Sequence, residues 1–578
     1  MKSCCKILFG LLLVTSILVL PGCYGATSPD VPDTDSVAEN AVLPIVENQA
    51  SSYSIIISER ASEAVNTMAM DLRKTVEQLT GVKLGLSDDY VERGTTPAAT
   101  EILIGHTARE ESRRLLEDTP YGEYSIRAIG DRIVVAGWDE NALQIACTKL
   151  IGYLEEHAAA GQLSVPGDYA LSGRTFAGLD CLPHYGDSDT AVQFVDIADN
   201  SRMLYVKKTN ADEFNAYVAK LADAGFTEFA TRQMGDNLYA IYKNDKKILH
   251  ASYHAAGKEA RITVDDAYDM TLFTEQEYEK VCEPAVHLLG MEFNSAKDPD
   301  NYVQNALGLI FRLEDGRFII VDSNYYGEKQ ANLLYNQLCE MAVDKDNIVI
   351  AAWIFTHAHS DHVGAFCTFA GSSLKDKVTI QNFLYHFTTD AQYKAANDSG
   401  ALGNVRSAMR KYPTAGNIKA QSGQVLYVGG MEIEILFTFA DMEPTVLGDH
   451  NTTSIVLRFT VQDNTLLVTG DASNKSCNYL VRKYGDYLRS DIAQIAHHGY
   501  NGTKEFYETV DADTLLWPGG VRQFYGRDGL YRIMDWEFNK RALELAKEVY
   551  IAGDKGYTLI LPHTPEDWRS VKIYDGEN

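Results

Sequence analysis

Thr356-His357-Ala358-His359-Ser360-Asp361-His362-Val363-Gly364 stands directly after a near-continuous apolar run, Ile348 to Phe355. A run of that length without alternation reads as a strand buried on both faces. Alternate residues of an extended segment share a side. A tight loop at its end therefore aims His357 and His359 at one point and Asp361 and His362 at an adjacent one. Imidazole nitrogens and carboxylate oxygens so spaced are ligands for divalent metals, and the pattern predicts two neighbouring metal sites. A chance surface cluster is the weaker reading.

The flanks extend the pattern. Upstream, Ala306 to Leu313 and Arg317 to Asp322 flank Glu314-Asp315-Gly316, a strong hairpin signal, and a helix is expected from about Glu328 to Ala342. Downstream come Asp449-His450-Asn451-Thr452-Thr453-Ser454 before an apolar run, then Leu466-Leu467-Val468-Thr469-Gly470-Asp471, then Asp491 to Ala496 leading into His497-His498-Gly499. These motifs, in this order, resemble those of the metallo-β-lactamase superfamily, an αββα sandwich of two packed sheets with helices outside. The resemblance implies that His357, His359 and His450 serve a first metal, that Asp361, His362 and His497 serve a second, and that Asp471 bridges both. Asp322 matches a structural acid of that fold. The pair His497-His498 looks most like the branch containing the extracellular domain of competence DNA-uptake channels and the phosphorylcholine esterases. There the third histidine is often lost and both late histidines can coordinate, so His450 and His498 compete for one ligand position.

The implied cofactors are two divalent ions, zinc first, with manganese or iron compatible with the same donors. Two such ions lower the pKa of bound water from about 16 toward about 7, which implies hydrolysis by a two-metal-bridged hydroxide without a Ser or Cys nucleophile. Asp361 and Asp471 are the expected catalytic carboxylates, with His498 or water protonating the leaving group. A true β-lactamase fits less well, because those enzymes lack the bridging carboxylate that Asp471 supplies. Relatives with that carboxylate cleave phosphoesters or thioesters, and secretion argues against a cytosolic thioester. A phosphodiester is the expected substrate class.

Secretion is read from the first residues. Lys2 and Lys6 flank the start of Ile7 to Leu20, too short to span a bilayer but long enough for a signal sequence. Leu20-Pro21-Gly22-Cys23 resembles a bacterial lipobox, which implies a signal peptide over 1–22, lipid on Cys23 and attachment to the cell-surface membrane. Residues 23–52 are rich in Ser, Pro and Asp and read as a flexible tether. Cys147, Cys181, Cys282, Cys339, Cys367 and Cys477 are widely scattered and read as buried thiols rather than a disulfide framework or a Cys-based zinc cluster. The 578 residues carry 80 acidic against 52 basic side chains, a net charge of −28, which opposes broad nucleic-acid binding.

The whole is expected to be an α/β multidomain chain. Residues 53–173 read as a small α/β domain. Its segments Glu101-Ile102-Leu103-Ile104-Gly105 and Gly130 to Gly137 resemble the accessory domain preceding the catalytic barrel of β-hexosaminidases and α-glucuronidases, which implies a carbohydrate-associated role. Residues 174–290 read as a second small α/β domain without a motif, in which His250 and His254 are expected to be ordinary satisfied histidines. Residues 291–578 form the sandwich. Within it Trp517, Phe524, Tyr525, Tyr531 and Trp536 are expected mainly to pack the core, with lining of a substrate cleft as the other reading. Val549 to Leu561, turning at Gly553-Asp554-Lys555-Gly556, is expected to be its final hairpin. The functional expectation is a surface-anchored metal-dependent hydrolase acting on a phosphodiester in a cell-wall or extracellular glycopolymer. The alternatives are a non-catalytic carbohydrate- or wall-binding lipoprotein and an extracellular nuclease.

Overall fold

The structure, a computed structural model, describes residues 42–575 apart from 93, 120–122, 138–139, 160, 175–178, 180, 184, 187–191, 292–304, 390–391, 394–400, 445–446, 527–531 and 568. The signal segment, Cys23, the tether as far as residue 41 and Tyr531 lie outside the described residues. The chain divides into two compact units between Gly173 and Arg174. Among the described residues no helix is long and apolar enough to cross a membrane and no cysteine forms a disulfide; Cys147 and Cys477 are buried as expected, whereas Cys181, Cys282, Cys339 and Cys367 are partly exposed.

The first unit is built on a six-stranded sheet in the order Gly85–Asp88, Ser54–Ile57, Glu101–Ile104, Arg132–Gly137, Glu123–Ile129, Ala170–Arg174. Its first four strands run parallel, and helices Glu63–Thr80 and Glu140–His157 bury Leu72, Val76, Ala146 and Leu150. The Ser62 side chain accepts the Val65 N–H to start the first of these helices. The unit begins earlier than its composition suggests. Val42–Val46 pairs antiparallel with Leu163–Pro166 and buries Leu43, Ile45 and Val46, so these residues leave the expected tether. Alternating apolar residues in a short Pro-containing segment are a weak signal beside the polar stretch before them.

Residues 174–290 do not stand apart from the sandwich. They form a six-stranded antiparallel sheet, Thr227–Met234, Asn237–Lys243, Lys247–His254, Glu259–Asp266, Arg202–Lys207, Val192–Asp196, with the helix Ala211–Ala219. This sheet and the sandwich make one compact unit. Buried polar groups join them. Arg261 donates to the carbonyl oxygens of Ala440 (3.3 Å), Asp441 (2.8 Å) and Glu443 (3.3 Å), and His254 Nε2 lies 3.4 Å from Asp441 Oδ1, which Lys483 Nζ also meets at 2.8 Å. Removing one partner from such a cluster costs about 3–5 kcal/mol. His250 and His254 both lie in this seam, and burial lowers each to about 4, so they are neutral at physiological pH.

The sandwich has two eight-stranded sheets. One holds Gly416–Lys419, Asn382–Tyr385, Ile348–Ile354, Phe318–Asp322, Gly308–Arg312, Ala285–Leu289 and Gly556–Ile560, with Val378–Ile380 beside Ile348–Ile354. The other holds Val425–Val428, Met431–Phe437, Val456–Val461, Asn464–Val468, Ile492–Gln494, Thr514–Trp517, Glu548–Ile551 and Lys572–Tyr574. Period-two alternation sorts side chains between layers. Ile319 and Val321 enter the core between the sheets, where Phe311 stacks on Phe459 at 4.2 Å, while Phe318 and Ile320 face outward under Leu334 and Leu338 of helix Glu328–Met341. Ala285–Leu289, expected in the preceding domain, is a strand of this sandwich. The expected final hairpin does not form: Glu548–Ile551 pairs in one sheet and Gly556–Ile560 pairs with Ala285–Leu289 in the other. The intervening turn is a crossover between layers, which local turn chemistry cannot distinguish from a hairpin.

Candidate metal centre

Phe318–Asp322 and Ile348–Ile354 run parallel in one sheet, as do Asn464–Val468, Ile492–Gln494 and Thr514–Trp517 in the other. Their carboxyl ends deliver Asp322, His357, Asp471, His497, His498 and Pro518. The two sheets approach closely here: a Cβ on Gly470, at φ +53°, would lie 2.9 Å from Thr356 Cβ and 3.2 Å from Ser454 Cβ. Helix Ser360–Gly371 starts within the motif, with His359 as its N-cap and Asp361 in its first turn, so the chain changes direction between His359 and His362 and His357, His359, Asp361 and His362 all enter the donor groups.

Two groups of donor atoms result, each mutually within 4.8 Å: Asp361, His362, Asp471 and His498, and His357, His359 and Asp471. Asp471 belongs to both. His362 Nε2 lies 3.1 Å from Asp471 Oδ2, and His498 Nε2 lies 3.4 Å from both Asp471 Oδ1 and Asp361 Oδ2. His357 Nε2 lies 3.9 Å from Asp471 Oδ2. An ion held at about 2.0–2.2 Å by tetrahedral N and O ligands separates them by about 3.3–3.6 Å, so the spacing suits a metal.

The far nitrogens of these rings are anchored. His362 Nδ1 is 2.7 Å from Asp322 Oδ2, and the Asp322 carboxylate also accepts the Thr356 N–H (2.9 Å) and hydroxyl (2.6 Å). His498 Nδ1 is 2.7 Å from the Pro518 carbonyl oxygen. His357 Nδ1 lies 3.2 Å from both Thr356 Oγ1 and Ser454 Oγ. An acceptor at Nδ1 fixes the tautomer that presents a bare Nε2 inward.

The inner atoms suit a divalent cation. His357, His362 and His498 Nε2 and both Asp471 oxygens are buried with no hydrogen-bond partner among the described residues. Each such atom costs about 1–3 kcal/mol, and five would consume about as much as a domain's whole stability, so a ligand for them is the physical resolution. Electrostatics agree. Burial opposes charge on His362 and His498, but Asp471 with Asp322 or Asp361 outweighs it, holding His362 well above the ordinary histidine range and His498 at about 9. A proton or a metal ion satisfies those carboxylates equally. Burial, with His362 and His359 beside it, keeps His357 neutral.

The remaining expected ligands occupy different places. His450 is buried against Tyr393, ring centroids 3.8 Å apart, with its Nε2 3.1 Å from the Tyr393 carbonyl oxygen; its ring is 6.1 Å from that of His359, and it stands outside both donor groups. His497, expected at the second metal, lies 3.6 Å from Asp471 with Asn501 Nδ2 2.6 Å from its Nδ1, and His498 takes the place in the donor group instead. Both residues have left-handed backbones, φ +48° and +54°, so consecutive side chains converge on Asp471 where an extended segment would separate them. His498 is fully buried and both its nitrogens face groups of the protein, which removes it as proton donor to a leaving group. Sequence reasoning missed Tyr325, which lies close enough to Asp361 and Asp471 for their charges, after burial, to raise its hydroxyl. Only its position three residues after Asp322 could have signalled it. Trp517 and Phe524 are fully buried core residues as expected, whereas Trp536 is exposed.

Residues 304–519 match the sequence model of the Metallo-beta-lactamase superfamily. The chain therefore carries a metallo-β-lactamase superfamily domain, and the fold is α/β with that domain C-terminal. Among solved structures it is similar to the metallo-beta-lactamase fold protein YhfI from Bacillus subtilis (15% identity, 48% of this chain and 99% of that one, TM-score 0.28). It is also similar to Zn(2+)-bound PqqB from Methylobacterium extorquens (13%, 48% and 100%, 0.29) and to a diphosphatase from the PhnP family (11%, 48% and 99%, 0.27). No curated protein matches the chain.

Proposed function

We propose that this protein is a metal-dependent phosphodiesterase acting on a cell-wall or extracellular glycopolymer from a lipid anchor at Cys23. The observation that carries the hydrolase reading is the pair of donor groups sharing Asp471, with inner atoms that nothing in the protein satisfies. Two zinc ions, or manganese or iron, on His357, His359 and Asp471 and on Asp361, His362, Asp471 and His498 would supply a water activated at neutral pH and charge stabilisation at phosphorus. The chain's own groups do the rest. Asp322, Pro518 and Ser454 hold the imidazoles in one tautomer, and Asp361, 14% exposed at its side chain against 1% for Asp471, is the carboxylate that reaches the opening and orients what binds there. Retention of both acids argues against the purely binding lipoprotein, since either lost carboxylate would leave buried imidazoles without a counter-charge. The net charge of −28 argues against the nuclease.

The test is hydrolysis of a chromogenic phosphodiester by the chain from Tyr24 onward, supplied with zinc or manganese, beside Asp471→Ala. Metal-dependent turnover that falls at least about a hundredfold in the variant is expected. Turnover with neither metal would refute the phosphodiesterase.

A further inference from the structure

Trp536 is 37% exposed, whereas Trp353 and Trp517 are fully buried. An indole left partly in water, two ring contacts from His497 beside the donor groups, is a surface on which another ring can stack. It opens helix Glu537–Leu545 as the N-cap, and its ring meets that of Tyr500 edge-on at 5.8 Å. The Tyr500 ring in turn lies 5.6 Å from that of His497, beside Asp471, and its backbone N–H donates to the His497 carbonyl oxygen at 2.7 Å. The two turns are tied together by fully buried Asn539, whose Nδ2 donates both to Gly499 (2.8 Å), next to the late histidines, and to Ile533 (2.9 Å), just before Trp536. The spacing from metal centre to indole is thus fixed by the fold, and each step is about the length of one pyranose.

Among the described residues, three cations near Trp536 are each matched by an acid. Arg532 Nε is 3.3 Å and Lys540 Nζ 3.6 Å from Asp535, and Lys504 Nζ is 4.0 Å from Glu537. Cations so matched do not form a track for a phosphate backbone, whereas aromatic faces with a rim of charge-balanced polar groups suit the C–H face and hydroxyls of a sugar. We propose that Tyr500 and Trp536 form a ring-stacking subsite that binds a sugar of the substrate next to the scissile phosphodiester. This rests on the phosphodiesterase reading and names the group attached to the phosphate.

The test compares three p-nitrophenyl diesters with the same leaving group, carrying methyl, glucosyl or thymidine 5′-yl on the other oxygen, with the zinc- or manganese-loaded chain. The glucosyl diester is expected to exceed the methyl one in kcat/KM by about three- to tenfold, through KM. Trp536→Ala should erase that advantage while Trp536→Phe keeps most of it. Equal kcat/KM for methyl and glucosyl diesters, an advantage that survives Trp536→Ala, or preference for the thymidine diester would each overturn the sugar subsite and leave the hydrolase standing. If no diester is cleaved, the hydrolase reading fails separately. The subsite is then decided by titration with chitotriose followed by tryptophan fluorescence, where a saturable change lost in Trp536→Ala supports it and no change refutes it.

Discussion

Asp322 touches no substrate, yet it sets what His362 can do. Its carboxylate takes the Nδ1 side of the ring and the Thr356 N–H and hydroxyl together, joining two strand ends and the motif loop in one group. Its φ of +57° is one that Asp and Asn tolerate, so Asp322→Asn keeps the backbone while weakening the hold on the imidazole. Zinc affinity measured by chelator competition is expected to fall about 10- to 100-fold; an unchanged affinity would exclude this role. At this scale the sequence was readable where a side chain does the work. His357, His359, Asp361, His362 and Asp471 stand in motifs whose strand and loop context places them. Residue identity does not decide between His450 and His498, nor does it move the second metal's place from His497 to His498, because both turn on left-handed backbone at the two late histidines and on the carbonyl of Pro518.

Elements of the second unit are held by polar seams that sequence periodicity does not record. Strand Glu259–Asp266 carries Arg261 to the carbonyls of Ala440, Asp441 and Glu443, and that short stretch precedes the segment bearing His450. Glu443 bonds Gln392, the neighbour of Tyr393 on which His450 packs. Burial raises the Glu443 carboxyl to about 7, against about 4.3 in the unfolded chain. The folded state then binds the extra proton between those values, so this group's contribution is complete below about pH 4 and is lost as pH rises through about 7. Glu443→Gln removes that loss. Its melting temperature relative to the parent protein is expected to be higher at pH 8 than at pH 5, and a difference independent of pH would show that Glu443 is not buried as a neutral acid. The strands of this region alternate well enough to be placed, but the residues joining them to the sandwich are Arg, Lys, His and Tyr, which read as a solvated face until the partner surface is seen.

The whole molecule divides at Gly173, and its two units should respond differently to metal. All the donors lie in the second unit, so chelation is expected to lower the melting transition of residues 174–578 by a few degrees and to leave that of the first unit in place. A shift of both transitions, or of neither, would contradict a metal centre confined to the sandwich. The sandwich itself was legible because buried strands and ligand loops recur in a fixed order. The extent of the second unit was not, since its boundary depends on long-range pairing. His287 of Ala285–Leu289 meets Thr558 of Gly556–Ile560 across 271 residues. At roughly 5–20 residues per second, the ribosome finishes that partner roughly 15–55 s after the first strand has emerged. Throughout that interval a strand that is fully buried in the finished fold, with His287 as its one polar residue, has one edge without its neighbour, so a nascent chain halted before Gly556 presents a ready template for pairing with another copy. This exposure to aggregation therefore falls within the protein's own synthesis, and the arrival of Gly556–Ile560 ends it.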